Sequence, residues 1–263
     1  MKPRFLARRS RHLRRPLLTA PDLDGGRLFL GRFDEEGLLR ELEGQGILPA
    51  LRARGYEEPV LQIGCEHGEH RLRIRVRGLR PSLVDLRLAE TTFVVDEPVA
   101  RRGGLEVLFV LFNTWLSLQD PRASFTPEKP RLPGQRWPGL GLSRAFYVLM
   151  ARWAQEWGKD AVLATPEYFH NAVIYSPTFR FLSPTEQGRF EALRCSLAVL
   201  PVAAASTAVE TGRVLDLVTD RPFEWRPGPM AAPHREALRR VFEGEEYRQT
   251  AQAAREQARF RPL

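Results

Sequence analysis

A strand–loop–helix–strand pattern in the middle of the chain constrains the fold more than any other feature. The pattern begins with the most apolar run of the sequence (106–118), followed by a segment rich in proline and glycine (119–141). Apolar residues then recur at three- and four-residue spacing over 143–157, which predicts an amphipathic helix that stops at Gly158. Ala161–Ala164 is short and apolar and is typical of a buried strand.

The segments before this pattern predict an antiparallel sheet. Leu72, Ile74 and Val76 alternate with arginines, which is typical of a strand with one buried side and one wet side. Segments 60–63 and 72–76 flank GCEHGEHR as a hairpin, further strands are indicated at 27–32, 83–88 and 92–95, and a helical stretch over 34–54 is expected to split near Gly44 and Gly46. Because strands come first and the loop–helix–strand unit follows, we expect an α+β fold with a mixed, mostly antiparallel sheet flanked by helices.

The last third of the chain predicts mainly helices. Short helices are indicated at 168–175 and 184–193, late strands at 214–218 and 223–225, and a charged helix at 233–260 that is interrupted near Gly244. We therefore expect three parts: a basic flexible arm (1–20), one domain (21–200) and a helical C-terminal extension (201–263) packed on the same domain.

The positive charge of the chain is concentrated at its start. The chain has 40 Lys and Arg residues against 32 Asp and Glu, a net charge of +8, and residues 1–15 hold seven of these basic residues and no acidic one. The remainder is close to neutral, so an electrostatic partner such as nucleic acid would meet the arm and not the body. A solvated tail is the alternative interpretation of the arm.

Composition also limits the class of protein. Hydrophobic residues make up 43% of the chain, enough to bury a core, and no apolar run approaches the roughly 20 residues of a membrane-spanning helix. Cys65 and Cys195 are the only cysteines, too few for a disulfide framework. Residues 1–15 lack the apolar stretch of a secretory signal. We therefore expect a cytoplasmic protein without a membrane partner.

Two other kinds of site find little support in the sequence. Cys65, His67 and His70 are potential zinc ligands, but the spacing in CEHGEH matches no closed site, so a polar hairpin turn is the better interpretation and no metal is expected. The chain has neither a Walker loop nor the Gly-x-Ser-x-Gly elbow of many hydrolases.

The end of the proline- and glycine-rich loop has the chemistry of an anion site. Residues 136–141, Arg-Trp-Pro-Gly-Leu-Gly, lead directly into the predicted helix. A helix start offers unpaired N–H donors and a partial positive charge, and glycines let a phosphate approach the backbone. Gly139 and Gly141 would serve that approach, and Ser143 is expected to cap the helix.

This loop fits the pattern Gln/Arg-x-x-Gly-x-Gly/Ala and resembles the pyrophosphate loop of the GNAT family of acyl-CoA N-acyltransferases. The later segment HNAVIYSPTFRFL resembles the family's Asn-x-x-Ala-x-x-x-Tyr stretch through Asn171, Ala172, Tyr175, Phe179 and Phe181. The resemblance covers about residues 130–182 and implies a GNAT-like fold with acetyl-CoA or another acyl-CoA as co-substrate. It implies that coenzyme A is bound by Arg136, Trp137, Gly139, Leu140, Gly141, Leu142, Ser143 and Asn171.

Acyl transfer to an amine needs a base for the amine proton and an acid for the leaving thiolate. The resemblance implies that Tyr175 reprotonates the thiolate, and Glu167 and His170, just after the short strand, are the candidate bases. Structural roles stay open as alternatives: a core tyrosine for Tyr175, a solvated helix-start carboxylate for Glu167, a cap or surface position for His170, and pairing with the local backbone for Asn171.

The resulting expectation is an N-acyltransferase that passes an acyl group directly to a small-molecule or peptide amine in a ternary complex. One alternative is a non-catalytic GNAT-like interaction protein that associates with nucleic acid through residues 1–15. Another is an unrelated α+β domain in which 132–142 is only a turn. A homodimer is left open.

Overall fold

The computed structural model describes residues 28–263, so the basic arm expected at 1–20 lies outside the described residues. The helices are α1 (Glu35–Gly44), α2 (Ile47–Arg52), α3 (Pro98–Arg102), α4 (Ser143–Glu156), α5 (Phe169–Tyr175), α6 (Pro184–Ser196), α7 (Val202–Glu210), α8 (Glu236–Glu243) and α9 (Glu245–Gln257). The strands are β1 (Val60–Glu66), β2 (Glu69–Arg75), β3 (Val84–Val94), β4 (Val107–Leu118), β5 (Ala161–Ala164), β6 (Arg180–Phe181), β7 (Val214–Asp216), β8 (Arg221–Pro222), β9 (Met230–Pro233) and β10 (Phe260–Pro262).

The main sheet has seven strands in the order β1-β2-β3-β4-β5-β9-β6. Neighbouring strands pair antiparallel except β4 and β5, which run parallel. A smaller antiparallel sheet has the order β10-β7-β8. The predicted α+β class, with a mixed and mostly antiparallel sheet flanked by helices, is thus confirmed, and β4 lies at the centre of the sheet as its apolar sequence predicts.

Helices cover the two faces of this sheet unequally. On one face, Leu72 and Leu111 belong to the larger apolar cluster together with Trp153 from α4. On the other face, Leu163 packs with Leu238 from α8 in a smaller cluster that also includes α3. The buried strand residues of this second cluster lie on β4, β5 and β9. On the same face, β2 carries charged residues in place of apolar ones.

Local signals account for most of the element bounds. Gly46, with φ of 75°, separates α1 from α2, and Gly158, with φ of 62°, follows the end of α4. Glycine adopts these left-handed conformations without the steric cost that a Cβ imposes. The bounds of β5 are those predicted, and Gly244 separates α8 from α9 as the interrupted pattern suggests.

Other predictions are wrong, mainly where a strand depends on its partner. The strands expected at 83–88 and 92–95 form the single strand β3, because pairing with β4 carries the chain through the weak strand formers between them. Phe29 and Phe33 form an isolated bridge where a strand was expected at 27–32. The strand expected at 223–225 is instead the two-residue β8, and α3 and α7 were not predicted.

The C-terminal residues are more than a helical extension. β9 lies inside the main sheet, between β5 and β6, with Ala161 opposite Pro233 and Phe181 opposite Met230. The helices α8 and α9 follow this strand as expected. The segment after residue 200 therefore completes the sheet that begins at β1.

Candidate functional site

The candidate site is a fork between β4 and β5. The two strands pair through Val110–Asn113 on β4, but β5 ends at Ala164 while β4 continues to Leu118. Pro166 lacks an N–H and cannot extend the pairing of β5. Among residues 28–263, the β5-facing edge of β4 at 114–118 consequently has no strand partner, and it borders a cavity of about 890 Å³.

A β-bulge lies at the base of this fork. Arg87 on β3 is opposite Trp115 and the next residue, Leu88, is opposite Asn113, so Thr114 is the extra residue. The Thr114 hydroxyl donates to a Glu69 carboxylate oxygen at 2.6 Å. A bulge bends its strand and removes one residue from the ladder, and it thereby re-aims the backbone next to the cavity.

Two polar atoms at the fork lack partners. Asn113 is 5% exposed, and both its Oδ1 and the Thr165 Oγ1 are buried without a hydrogen-bond partner among the described residues. Both side chains line the cavity. Buried polar groups are nearly always hydrogen-bonded, so unpaired ones beside a cavity indicate where a ligand would supply the missing partners.

The glycine loop forms the mouth of the cavity. Leu140 and Leu142 are buried anchors, whereas the other five loop residues of the predicted set line the cavity: Arg136, Trp137, Gly139, Gly141 and Ser143. The Arg136 guanidinium lies 4.4 Å from the centroid of the Trp137 ring. The Lys129 ammonium donates to the Gly139 carbonyl at 2.8 Å, which holds a further positive charge in the loop.

Helix α4 begins at this mouth without a side-chain cap. Leu142 occupies the N-cap position, and Ser143 is the first helical residue. The prediction that Ser143 caps the helix is therefore wrong, because its hydroxyl lies one position too late to reach the first-turn N–H groups. Gly141, with φ of 70°, turns the chain into the helix. The uncapped first turn keeps N–H donors for an anion.

Glu167 and His170 border the opposite wall of the cavity. The Glu167 side chain is exposed at this wall, yet the surrounding protein and then the Glu210 carboxylate raise the pKa of its carboxyl. His170 is 4% exposed, its Nδ1 lies 2.9 Å from the Ser206 hydroxyl, and burial lowers its pKa to about 4. The imidazole is therefore neutral at pH 7 and a weak base, and its expected cap or surface position is not observed.

Tyr175 is paired with a second tyrosine. Its side chain is 8% exposed and lines the cavity, and the ring of Tyr147 from α4 packs edge-on at 5.2 Å between centroids. Burial raises the pKa of Tyr175, and its pairing with the Tyr147 hydroxyl partly offsets that effect. The Tyr175 hydroxyl is therefore protonated at neutral pH.

Asn171 has a local structural role. Its Oδ1 accepts the N–H of Tyr168 at 3.1 Å, at the start of α5. This is the pairing with the local backbone that the sequence left open, although the residue also borders the cavity. The predicted catalytic residues Glu167, His170 and Tyr175 line the same cavity as the glycine loop. Leu140 and Leu142 are buried and anchor that loop.

Sequence reasoning missed several residues of this site. Tyr147, Asn113 and Thr165 carry no motif, because their importance comes from the fork that brings them together. The arginines of β2 also line the cavity, whereas their alternation in the sequence predicts only a solvent-facing side of the sheet.

The predicted hairpin turn is confirmed at the cysteine–histidine segment. His67 and Gly68 both have positive φ in the turn between β1 and β2. Within residues 28–263, no group of three or more His, Cys, Asp or Glu side chains is placed to hold a metal ion. In the same part of the chain, no helix has the length and apolar character needed to cross a membrane.

Comparisons with protein-family models, with characterised proteins and with solved structures find no match to this chain.

Proposed function

We propose that this protein is a GNAT-like N-acyltransferase that transfers an acyl group, such as acetyl, directly from an acyl-CoA to an amine acceptor. The observation that carries the proposal is the fork after Asn113, where two parallel strands separate beside the uncapped start of α4. A ligand that consists of a linear chain with amide groups and a pyrophosphate at one end would contact both features.

The strand edge suits the linear part of such a ligand. Residues 115–118 of β4 pair with β3 on one side and have no strand partner among residues 28–263 on the other. An extended chain with amide groups can hydrogen-bond to such an edge as an added strand would. The amides of the pantetheine arm have this chemistry, and they would direct the thioester towards the bulge at Thr114.

The helix start suits the pyrophosphate. The first turn of α4 has no side-chain cap, and its dipole adds partial positive charge. Gly139 and Gly141 expose backbone at the same mouth, and Lys129 and Arg136 add two full positive charges. Arginine stacked on an aromatic ring, as Arg136 is on Trp137, is held ready for a phosphate.

The acyl-CoA supplies a thioester, whose carbonyl carbon bonds to the amine nitrogen as the C–S bond breaks. We assign the acid to Tyr175, which would give its hydroxyl proton to the leaving thiolate. A raised pKa keeps this hydroxyl protonated at neutral pH, and the edge-on packing of the Tyr147 ring holds the Tyr175 ring in place. We assign the N–H of Thr114, the extra residue of the bulge, to the thioester carbonyl oxygen.

We assign the base to Glu167, which would take the proton released by the amine. Burial and the Glu210 carboxylate raise its pKa, so the carboxylate is a stronger base than an ordinary surface glutamate. His170 is the weaker candidate, because its pKa of about 4 makes it a poor proton acceptor and Ser206 occupies its Nδ1.

The direct test is calorimetric titration of acetyl-CoA and free coenzyme A into the full chain, with pantetheine as the ligand that lacks the pyrophosphate. We expect saturable micromolar binding of the first two and none of the third. Release of the free thiol on addition of an amine panel would then measure transfer. Absence of acetyl-CoA binding at millimolar concentration would overturn the proposal.

A further inference from the structure

The cavity is strongly basic although the body of the protein is nearly neutral. Residues 1–15 hold seven positive charges of the net +8. Of the charged side chains that line the cavity, six are Lys or Arg and two are Asp or Glu. Lys129 and Arg136 belong to the mouth of the cavity at the glycine loop. The other four arginines that line the cavity have no role in the proposed binding of coenzyme A.

Those four arginines lie together beside the part of the sheet that no helix of residues 28–263 covers. Arg71, Arg73 and Arg75 are alternate residues of β2 and point to the same face, and Arg80 follows in the turn to β3. The main chain of Arg80 accepts a hydrogen bond from the Arg75 guanidinium at 3.3 Å. These four residues form the arginine cluster.

Only one acidic side chain among the cavity residues is near the arginine cluster, and it already forms an ion pair. Asp85 accepts from the Arg71 Nε at 2.7 Å and from a second Arg71 nitrogen, and Arg87 lies 3.8 Å from it. Arg73, Arg75 and Arg80 make no ion pair with any residue in 28–263. The cluster therefore has a surplus of positive charge.

This surplus of positive charge is unfavourable on a sheet face whose only role is to contact solvent. Like charges that are adjacent on a sheet destabilise it, and solvated protein surfaces usually mix the two signs. Burial and the neighbouring guanidinium groups of Arg71, Arg87 and Arg75 lower the pKa of Arg73, which reflects the same repulsion. An anionic ligand would relieve it.

The cluster faces the side of the sheet opposite to α4. Leu72 and Ile74, the residues that alternate with the arginines, pack in the cluster that contains α4, so the arginines point the other way. Arg73 lies in one row with Asp85 and Ser117, and Ser117 is three residues beyond the bulge at Thr114. That separation is roughly 10 Å along the strand. A ligand on the cluster would thus approach the fork from the face that the α4 mouth does not use.

We propose that the arginine cluster binds the anionic group of the acyl acceptor, so that the acceptor is a small amine that also carries a carboxylate or a phosphate. This inference rests on the proposed acyl transfer. Guanidinium groups bind carboxylate and phosphate oxygens through paired hydrogen bonds, and both anions share that chemistry. The exposed ring of Trp115, 43% accessible and in the cavity lining, gives the acceptor an apolar surface between the cluster and the fork.

The test uses amines matched in all but charge. Acetyl transfer to 4-aminobutyrate is compared with transfer to 4-aminobutanamide, and transfer to O-phosphoethanolamine with transfer to ethanolamine, at saturating acetyl-CoA. The variants are Arg73→Gln and the double variant Arg73→Gln/Arg75→Gln. The control is Arg101→Gln, which removes one positive charge from an exposed position on α3, outside the cavity lining. Acetyl-CoA affinity is measured separately by calorimetry.

We expect kcat/KM for the acidic member of at least one pair to exceed that of its neutral partner by about tenfold or more, the effect of one charge-assisted contact. The double variant should lose this preference through a higher KM, with acetyl-CoA affinity and the control unchanged. The pair that shows the preference identifies carboxylate or phosphate.

Two results would overturn the inference while leaving acyl transfer intact. One is equal use of acidic and neutral amines by the wild type. The other is a loss of acetyl-CoA affinity in the double variant, which would assign the cluster to the phosphates of coenzyme A. Failure of the proposed function looks different: the wild type would not bind acetyl-CoA at all, and the inference would fall with it.

Discussion

Substitution of Gly141 by valine tests whether the start of α4 holds a pyrophosphate. Gly141 has φ of 70°, and a Cβ built there would meet no atom of residues 28–263 within 4 Å. The substitution therefore costs backbone strain of about 1–2 kcal/mol without a clash inside the protein. Because the residue lines the cavity, the valine methyl groups would occupy space next to the first N–H groups of the helix.

The chain offers a matched control at the other end of the same helix. Gly158 has φ of 62° and equally open space around its Cβ, and it is not part of the cavity lining. Gly158→Val should thus cost about the same 1–2 kcal/mol of folding free energy. Any difference between the two variants in ligand affinity then comes from the position of Gly141 and not from strain.

The expected loss of affinity follows from the hydrogen bonds that the valine would prevent. Two N–H contacts to a charged phosphate, at about 1.5 kcal/mol each, amount to roughly 3 kcal/mol. At 1.4 kcal/mol per factor of ten, the dissociation constant of acetyl-CoA should rise about 100-fold in Gly141→Val. Calorimetric titration measures this, and thermal unfolding without ligand measures the strain. Unchanged affinity in Gly141→Val, or the same loss in both variants, would refute the reasoning.

Three further predictions address the chemistry and the packing. Tyr175→Phe should lower kcat by about 10²- to 10⁴-fold without changing the calorimetric affinity for acetyl-CoA, whereas a purely structural tyrosine would show its loss in thermal unfolding instead. Glu167→Gln should abolish the acidic limb of the pH–rate profile. This variant should also have a higher unfolding temperature than the wild type at pH 8. The raised pKa of the Glu167 carboxyl stabilises the folded state at acid pH, and this stabilisation is lost as the pH rises above that pKa. A lower unfolding temperature of the variant at pH 8 would contradict a raised pKa. Gly188→Ala should destabilise the fold by about 1–3 kcal/mol in denaturant unfolding, since the added Cβ would overlap the Ala251 carbonyl oxygen where α6 meets α9.

The case of Gly188 shows how local and tertiary information can oppose each other. Judged from the sequence, alanine inside α6 should stabilise the helix by about 0.5–1 kcal/mol relative to glycine. The contact with α9 reverses the sign, because the two helix backbones approach so closely that no Cβ fits. Nothing within 184–196 signals that approach, since its partner lies more than 50 residues further along the chain.

The same distinction separates the predictable and unpredictable parts of the site. The glycine loop, the helix at its end, and Tyr175 all lie within one continuous stretch, so their motifs and periodicity were visible in the sequence. Asn113 comes from β4 and the arginine cluster from β2 and the turn after it, both outside that stretch. They become one site only because β4 and β5 separate at the bulge.

The sequence by itself determined the identity of the strongly periodic elements: the alternating strand β2, the amphipathic helix α4, and the glycine positions at which helices end. Side-chain period and backbone preference are local properties, so a short window contains them. Only the tertiary structure decided that β9, four residues with weak strand propensity, lies inside the sheet, and that the fork opens beside an uncapped helix. Strand order and the place where two strands part depend on hydrogen bonds and packing between residues far apart in the chain, and no local pattern encodes them.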